Sequence, residues 1–261
     1  MFSFVCFSQK TMLKKTTIKT ETMTFGVGGT LTILGAPNGS ISVENWKRNE
    51  LEITAEIEFE AANEVDLALL SKTNGYILED TFNSIKIISV GTHDKDYMKK
   101  VAKKFPKALL NLPWKINYTI KVPAICDVNI TAGRGDLKIS GIEGSIQLKA
   151  LETNAILNLT GGSISAVFGT GTVNVNIGSR SWRGRNADIQ LANGTMNVKF
   201  PQNSNAQISA KILRNGVIEN LMTNLLPLDR TKFTEKSVVG KAGNGGAVLA
   251  FTVGDGNLKI E

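Results

Sequence analysis

Five segments of this 261-residue chain share one plan, in which two short runs of alternating apolar and polar residues flank a tight turn. The apolar residue in the middle of each first run recurs at steps of 18, 18, 25 and 19 residues, at Ile130, Leu148, Ala166, Leu191 and Ala210. A repeat this short cannot bury its apolar side alone, so neighbouring copies must pack on one another. The repeat therefore predicts a stacked architecture.

The alternation has a period of two, which predicts strands with one face in a core and the other in solvent. Most of the turns carry glycine or asparagine, which tolerate positive φ, at Gly133/Gly135, Thr153/Asn154, Gly169/Gly171, Asn193/Gly194 and Asn215/Gly216. Antiparallel hairpins would pair each strand with its neighbour in sequence, whereas a β-solenoid would stack each strand on its counterpart one repeat later. The nearly constant step favours the solenoid.

The predicted fold class is all-β, a single-domain β-solenoid or β-helix of short repeats, with an N-terminal capping sheet and one or two short helices. Residues 61–72 have a helical composition, with Val65, Leu69 and Leu70 on one side. A second helix is predicted over residues 94–105, with Asp94 as its N-cap. The predicted boundaries are an N-terminal segment 1–23 and a β domain 24–261, divided into sheet and cap 24–122, repeats 123–220 and C-terminal cap 221–261.

Three stretches resemble the bacterial putative-adhesin β-solenoid domain family, whose molecular function is unknown. They read NGSISVENW, YTIKVPAICDVNITAGRGDLKISGIEGSIQL and GNGGAVLAFTVGDGNLKI. The motifs that carry the resemblance are Val122-Pro123, Gly133-Arg134-Gly135-Asp136 and Gly141-Ile142-Glu143-Gly144. The resemblance extends from about Thr24 to Ile260 and implies the fold, export from the cytoplasm and a non-enzymatic role.

The net charge limits the kinds of binding partner, and the cysteines bear on the cellular compartment. The chain has 30 Lys and Arg against 23 Asp and Glu, a net charge of +7, which favours anionic partners without the density of a nucleic-acid binder. Cys6 lies in an apolar start that is similar to the tail of a signal peptide cut near Ser8. That interpretation predicts an extracytoplasmic protein, in the periplasm or at the cell surface, with Cys126 unpaired. The alternative is a frayed cytoplasmic N-terminus.

The tripeptide Arg134-Gly135-Asp136 matches a known cell-attachment signal. The same Gly-x-Gly-Asp/Asn frame recurs near the C-terminus, from Gly254 to Asn257, without the arginine. Because turn chemistry explains both copies, the sequence predicts a turn here and not an adhesive loop.

The sequence offers few candidates for catalytic or metal-binding residues. The single histidine, His93, lies near Asp94 and Asp96, but the spacing of a structural metal site is absent. We therefore predict no catalytic residue, no metal and no cofactor. The alternative is a polysaccharide-acting enzyme whose carboxylates are brought together by stacking.

The 25-residue step points to an insertion, SRSWRGR, and insertions into stacked repeats leave one face as loops. Trp182 would offer a stacking platform, and Arg180, Arg183 and Arg185 would offer forked donors for an anionic group. The alternative is that Trp182 covers the edge of the core.

Two polar surfaces follow from the periodicity. With alternate residues inward, Lys138, Asn158, Asn174 and Asn197 would form one outward ladder, which either binds a polysaccharide or only solubilises the sheet. The lysines of the second helix would face solvent or an anionic polymer, at Lys99, Lys100, Lys103, Lys104 and Lys107.

These observations predict a non-catalytic, adhesin-like binding module of the cell envelope. Its expected partner is a polysaccharide, an anionic polymer or an envelope protein, and not a specific nucleic acid. The expected contact residues are Trp182, Arg180, Arg183, Arg185, Asn158, Asn174 and Asn197. A purely structural, self-assembling envelope protein is the second alternative.

Overall fold

The computed structural model describes residues 12–101, 104–228 and 232–261. Strands hold 64% of the residues and helices 8%, so the predicted all-β class is confirmed. In chain order the strands are β1 Leu13–Thr24, β2 Thr30–Leu34, β3 Ile41–Trp46, β4 Glu50–Ala61, β5 Gly75–Thr81, β6 Ser84–Val90, β7 Trp114–Pro123, β8 Asp127–Arg134, β9 Leu137–Ser140, β10 Ser145–Leu159, β11 Gly161–Ile177, β12 Arg183–Lys199, β13 Ala206–Ile212, β14 Ile218–Asn220, β15 Leu225–Pro227, β16 Ser237–Ala242 and β17 Val248–Ile260. The helices are α1 Glu64–Thr73, α2 Lys95–Val101 and a 3-10 turn at Lys107–Leu109.

Four long strands, β10, β11, β12 and β17, pair side by side in parallel, and we call them the stacked strands. Leu148 of β10 lies beside Ala166 of β11, which lies beside Ile189 of β12. Ile189 in turn lies beside Phe251 of β17. The first half of β10 pairs with β8 and its second half with β9, again in parallel. Equivalent residues of successive segments are therefore direct neighbours.

The first half of each stacked strand lies in one row of strands, and its second half lies in another row. The row of first halves continues through β8, β2, β6 and β5 on one side and through β13, β16 and β15 on the other. The row of second halves continues through β9, β3, β7, β4 and β1 on one side and β14 on the other. The inward side chains of both rows meet in one apolar core.

The alternation in the sequence places the core residues. If Lys138, Asn158, Asn174 and Asn197 point outward, the residues on either side of each must point inward. All eight are buried, which confirms the predicted alternation: Leu137, Ile139, Leu157, Leu159, Val173, Val175, Met196 and Val198. Burying each such side chain contributes roughly 1.5–3 kcal/mol. Because the side chains alternate along each strand, the residues between them point outward.

At the corner where the first halves meet the second halves, the strands approach too closely for a side chain. Gly171, Gly194 and Gly256 have φ of 132°, 136° and 134°, which glycine alone adopts readily. A Cβ on Gly194 would lie 1.9 Å from the carbonyl oxygen of Gly171, and a Cβ on Gly256 would lie 1.8 Å from that of Gly194. The glycines are thus required by the stacking itself.

The stacking order corrects the register that we predicted. The neighbour of Ala166 in β12 is Ile189 and not Leu191, so that step is 23 residues and not 25. A bulge after Gly162, where the register shifts by one residue, lengthens that step from 22 residues to 23. Ala210 lies beside Phe251 of β17 and not beside β12. The last strand of the chain is inserted between two segments that are consecutive in sequence, and periodicity alone cannot reveal such an insertion.

The N-terminal region is less regular than the repeats. The described part of the predicted N-terminal segment 1–23 is mostly the strand β1, which pairs antiparallel with β4 along its whole length. In α1, capped by Asn63, Leu67 and Leu70 are buried, whereas Val65 is 76% exposed, so the predicted apolar side is only partly correct. The predicted cap of the second helix is confirmed, since Asp94 Oδ1 accepts hydrogen bonds from the N–H groups of Asp96 and Tyr97.

Candidate binding surface

The outward residues of the second halves of β9, β10, β11, β12 and β17 form a flat surface that we call the polar face. Its centre is built from asparagine side chains that bond to one another across strands. Asn197 Nδ2 donates to Asn174 Oδ1 at 2.9 Å, and Asn176 Nδ2 donates to Asn158 Oδ1 at 2.8 Å. These four side chains are half-buried. Each amide uses one group in its pair and keeps further donors and acceptors for another molecule.

The polar face has two lines of asparagines where we predicted one. Asn158 lies beside Asn176, while Asn174 lies beside Asn197 and Ile156. The predicted ladder is correct for Lys138, Asn174 and Asn197, which lie in one line with Ile156. It is wrong for Asn158, which is two residues out of that line. Sequence reasoning missed Asn176, although the 18-residue step from Asn158 leads directly to it.

A charged cluster closes one end of the polar face. The Glu261 carboxylate lies 2.7 Å from Lys199 Nζ and 2.8 Å from Lys259 Nζ. The two ammonium groups, by hydrogen bonding and charge, lower the pKa of Glu261 to about 2. The carboxylate thus stays ionised at neutral pH and offsets much of the positive charge there.

Trp182, the predicted stacking platform, is part of the core. Its side chain is only 9% exposed and packs with the buried apolar residues. Its indole N–H donates to the carbonyl oxygen of Gly162 at 3.0 Å. A ring held this way covers the edge of the core, which is the alternative that the sequence left open, and it presents little surface for a ligand to stack on.

The three arginines near Trp182 do not converge on one point. Arg180 Nε donates to the carbonyl oxygen of Asn203 at 2.9 Å. Arg183 forms an ion pair with Glu143, a residue of the loop before β10. Arg185 is exposed at the bulge of β12. Two of the three guanidinium groups are thus occupied within the chain, and the loop does not form a compact anion site.

The Arg134-Gly135-Asp136 tripeptide lies in the turn between β8 and β9, as predicted. Arg134 Nε forms an ion pair with Glu152 of the neighbouring strand at 2.8 Å. Gly135 has φ of 140°, and a Cβ there would lie 2.2 Å from the carbonyl oxygen of Gly39. The turn is therefore fixed on both sides by stacking.

The residues around His93 are arranged for packing. The imidazole lies 5.3 Å from the Trp114 ring, centre to centre, and burial lowers the pKa of His93. Within the described ranges, no group of three or more His, Cys, Asp or Glu side chains is placed to hold a metal ion. The described part of α2 buries no side chain, and Lys103 lies outside the described residues.

Cys126 is buried and unpaired, and burial raises the pKa of its thiol to about 12. Cys6 lies outside the described residues.

None of the described helices combines the length and the apolar character needed to cross a membrane.

Comparison with known proteins gives similarity of structure and not of sequence. No family model and no curated protein matches the chain. A putative cell adhesion protein from Clostridium sporogenes is 12% identical, with a TM-score of 0.50 over 95% of this chain and 99% of that one. Putative adhesins from Bacteroides fragilis and Parabacteroides merdae, 12% and 9% identical, have TM-scores of 0.30 and 0.26 over 94% of this chain and 97% and 96% of theirs. The first of these likenesses shows a shared fold.

Proposed function

We propose that this chain is a non-catalytic, adhesin-like binding module of the cell envelope, whose stacked strands form a β-solenoid and whose polar face binds a polysaccharide. The observation that carries the proposal is the pairing of asparagine amides across β10, β11 and β12. The fold shared with a protein described as a cell adhesion protein supports the adhesin-like role and the extracytoplasmic location.

The paired amides favour a regular, hydroxyl-rich partner. Neighbouring strands lie about 4.8 Å apart, so the amides form a regular array that a repeating polymer can follow. Each side chain is already held by its neighbour, so little further side-chain entropy is lost on binding. Amides donate to and accept from hydroxyl groups equally well, whereas a strongly anionic partner would be better served by unpaired arginines.

The experiment is binding of the purified chain to immobilised envelope polysaccharides, beside a variant that carries both Asn174→Ala and Asn197→Ala. Each lost hydrogen bond costs roughly 1 kcal/mol, so we expect affinity to fall about tenfold or more. The matched control carries Gln147→Ala and Gln190→Ala, which removes two exposed amides from the first halves of β10 and β12. We expect the control to bind like the unmodified chain.

Two results would contradict the proposal. Equal losses in both variants would mean that the polar face has no special role. If the unmodified chain bound none of the polysaccharides, a surface protein would become the expected partner.

A further inference from the structure

The strand β1 leaves a long edge of the sheet unpaired. Among the described residues it pairs with β4 and with no other strand, and the register between them has no break. Ten of its twelve residues are exposed, because it lies beyond the core. An unpaired strand of this length presents a row of N–H and C=O groups that can accept another strand.

The side chains of β1 are complementary to those of a second β1 in one antiparallel register. With Ile18 opposite Ile18 of the partner subunit, Lys15 faces the partner's Glu21 and Glu21 faces the partner's Lys15. Thr16 then faces the partner's Thr20, and Leu13 faces the partner's Met23. Apolar, hydroxyl and opposite-charge pairs of these kinds are the ones that stabilise cross-strand contacts.

Neighbouring registers lack this complementarity. A shift by two residues in one direction places Lys15 opposite the partner's Lys19, and a shift in the other places Lys19 opposite the partner's Lys19. Like charges directly opposite are destabilising. A shift by one residue would place the polar side of one copy against the core side of the other, since side chains alternate.

We propose that β1 is the interface of a two-fold symmetric homodimer in which the two β1 strands pair antiparallel about Ile18. Ile18, which is 66% exposed, lies on the symmetry axis. Alternate residues of each strand exchange two hydrogen bonds with the other, so two sheets become one.

Lysines on an edge strand often prevent such pairing, but here each of the three has an internal partner. Lys14 Nζ lies 2.6 Å from the Glu58 carboxylate. Lys15 Nζ lies 3.4 Å from Ser71 Oγ, and Lys19 Nζ lies 5.8 Å from the centre of the Tyr76 ring. The charge of Lys14 is offset within the chain by Glu58, and that of Lys15 would be offset by the partner's Glu21.

The dimer would place the polar faces of both copies on the same side. Ile18 and Thr20 lie beside Glu56 and Thr54 of β4, and this side of the sheet continues through β7, β3 and β9 to the asparagine pairs. The interface does not depend on what the polar face binds, so either proposal can fail without the other.

The test combines mass and cross-linking on the full chain in a Cys6→Ser background, where Cys126 is buried. Sedimentation velocity from micromolar to submillimolar concentrations should show a monomer–dimer equilibrium. Ile18→Cys should form a disulfide-linked dimer on mild oxidation, because directly opposite residues lie about 4.5–5.5 Å apart, within disulfide reach. The matched control, Thr20→Cys, should not, because the two copies of that position lie about 13 Å apart along the strands.

A charge exchange tests the register. Lys15→Glu should weaken the dimer about tenfold, and adding Glu21→Lys to the same chain should restore most of the loss, because opposite charges again face each other. A monomer at every concentration would overturn the proposal. So would equal cross-linking of the two cysteine variants, which indicates random collision.

Discussion

Two lines of positions cross the same four strands and follow different rules. At the corner the residues are Thr153, Gly171, Gly194 and Gly256; three residues later, on the polar face, they are Ile156, Asn174, Asn197 and Lys259. At the corner, backbone contact leaves no room for a Cβ on the three glycines. On the polar face the side chains point away from the core, and the backbone requires no particular residue. The fold therefore requires glycine at the corner, whereas it does not require asparagine on the polar face.

In each line one residue is of a different kind from the rest, a side chain among glycines and an apolar residue among polar ones, and both of these residues lie on β10. Thr153 is the residue with a side chain in the glycine line, and it is only 5% exposed. Within the described residues, its Oγ1 is a buried polar atom with no hydrogen-bond partner. Ile156 lies at the end of the amide line, between Lys138 and Asn174, and is 42% exposed. These two residues, with the glycines beside them, allow the two rules to be tested separately.

The largest expected effect is that of Gly194→Ala. The new Cβ would lie 1.9 Å from the carbonyl oxygen of Gly171, at a φ of 136° that alanine does not adopt without strain. We expect the free energy of unfolding to fall by about 4 kcal/mol or more, measured by denaturant titration. In the control, Gly75→Ala, no atom lies within 4 Å of the new Cβ, and stability should change little. Equal losses in both would contradict the stacking rule.

The second effect is smaller and has the opposite sign. Thr153→Val replaces a buried, unpaired hydroxyl with a methyl group of similar size, so we expect stability to rise by about 1 kcal/mol. The control is Thr73→Val, whose hydroxyl donates to the Leu69 carbonyl oxygen at 3.0 Å; there the same substitution should destabilise. A destabilising Thr153→Val would mean that its hydroxyl has a partner, such as a bound water.

The difference between the two lines also explains which features the sequence could predict. The inward residues that alternation predicted in the second halves of β10, β11 and β12 are all buried, because a strand that buries one face permits only one pattern. It did not reveal that β17 inserts between β12 and β13, since strands of similar pattern are interchangeable until their side chains are packed. The predicted β12 register was two residues out in the first halves, because Ile189 and Leu191 are both buried and apolar and fit the same alternation.

The candidate site was harder to predict than the core. Trp182 was predicted as a contact residue because it lies in an irregular loop. A large aromatic ring is stabilised more by covering the core than by facing water, and the indole N–H donates to a backbone carbonyl oxygen. The asparagine pairs lie in the regular part of the chain and carry no unusual local signal. Counting 18 residues from Asn158 to Asn176 would have found one pair. The predicted ladder did place Asn174 and Asn197 in one line, although the 23-residue step between them includes the bulge.

The smallest effect on stability, and the sharpest test of the amide line, is expected from Ile156→Asn. The new amide would lie beside Asn174 and extend the line by one member, at an exposed position where stability should change by no more than about 0.5 kcal/mol. If the polar face binds a polysaccharide through its amides, the affinity of the chain for the immobilised polysaccharide should rise a few-fold, because one more hydrogen bond contributes roughly 1 kcal/mol at most. The control is Val167→Asn, at an exposed position in the row of first halves, and it should leave the affinity for the polysaccharide unchanged. Tighter binding by both variants would indicate nonspecific adhesion by the added amides. Weaker binding by Ile156→Asn alone would mean that the ligand packs on the isoleucine side chain and is not held by the amides.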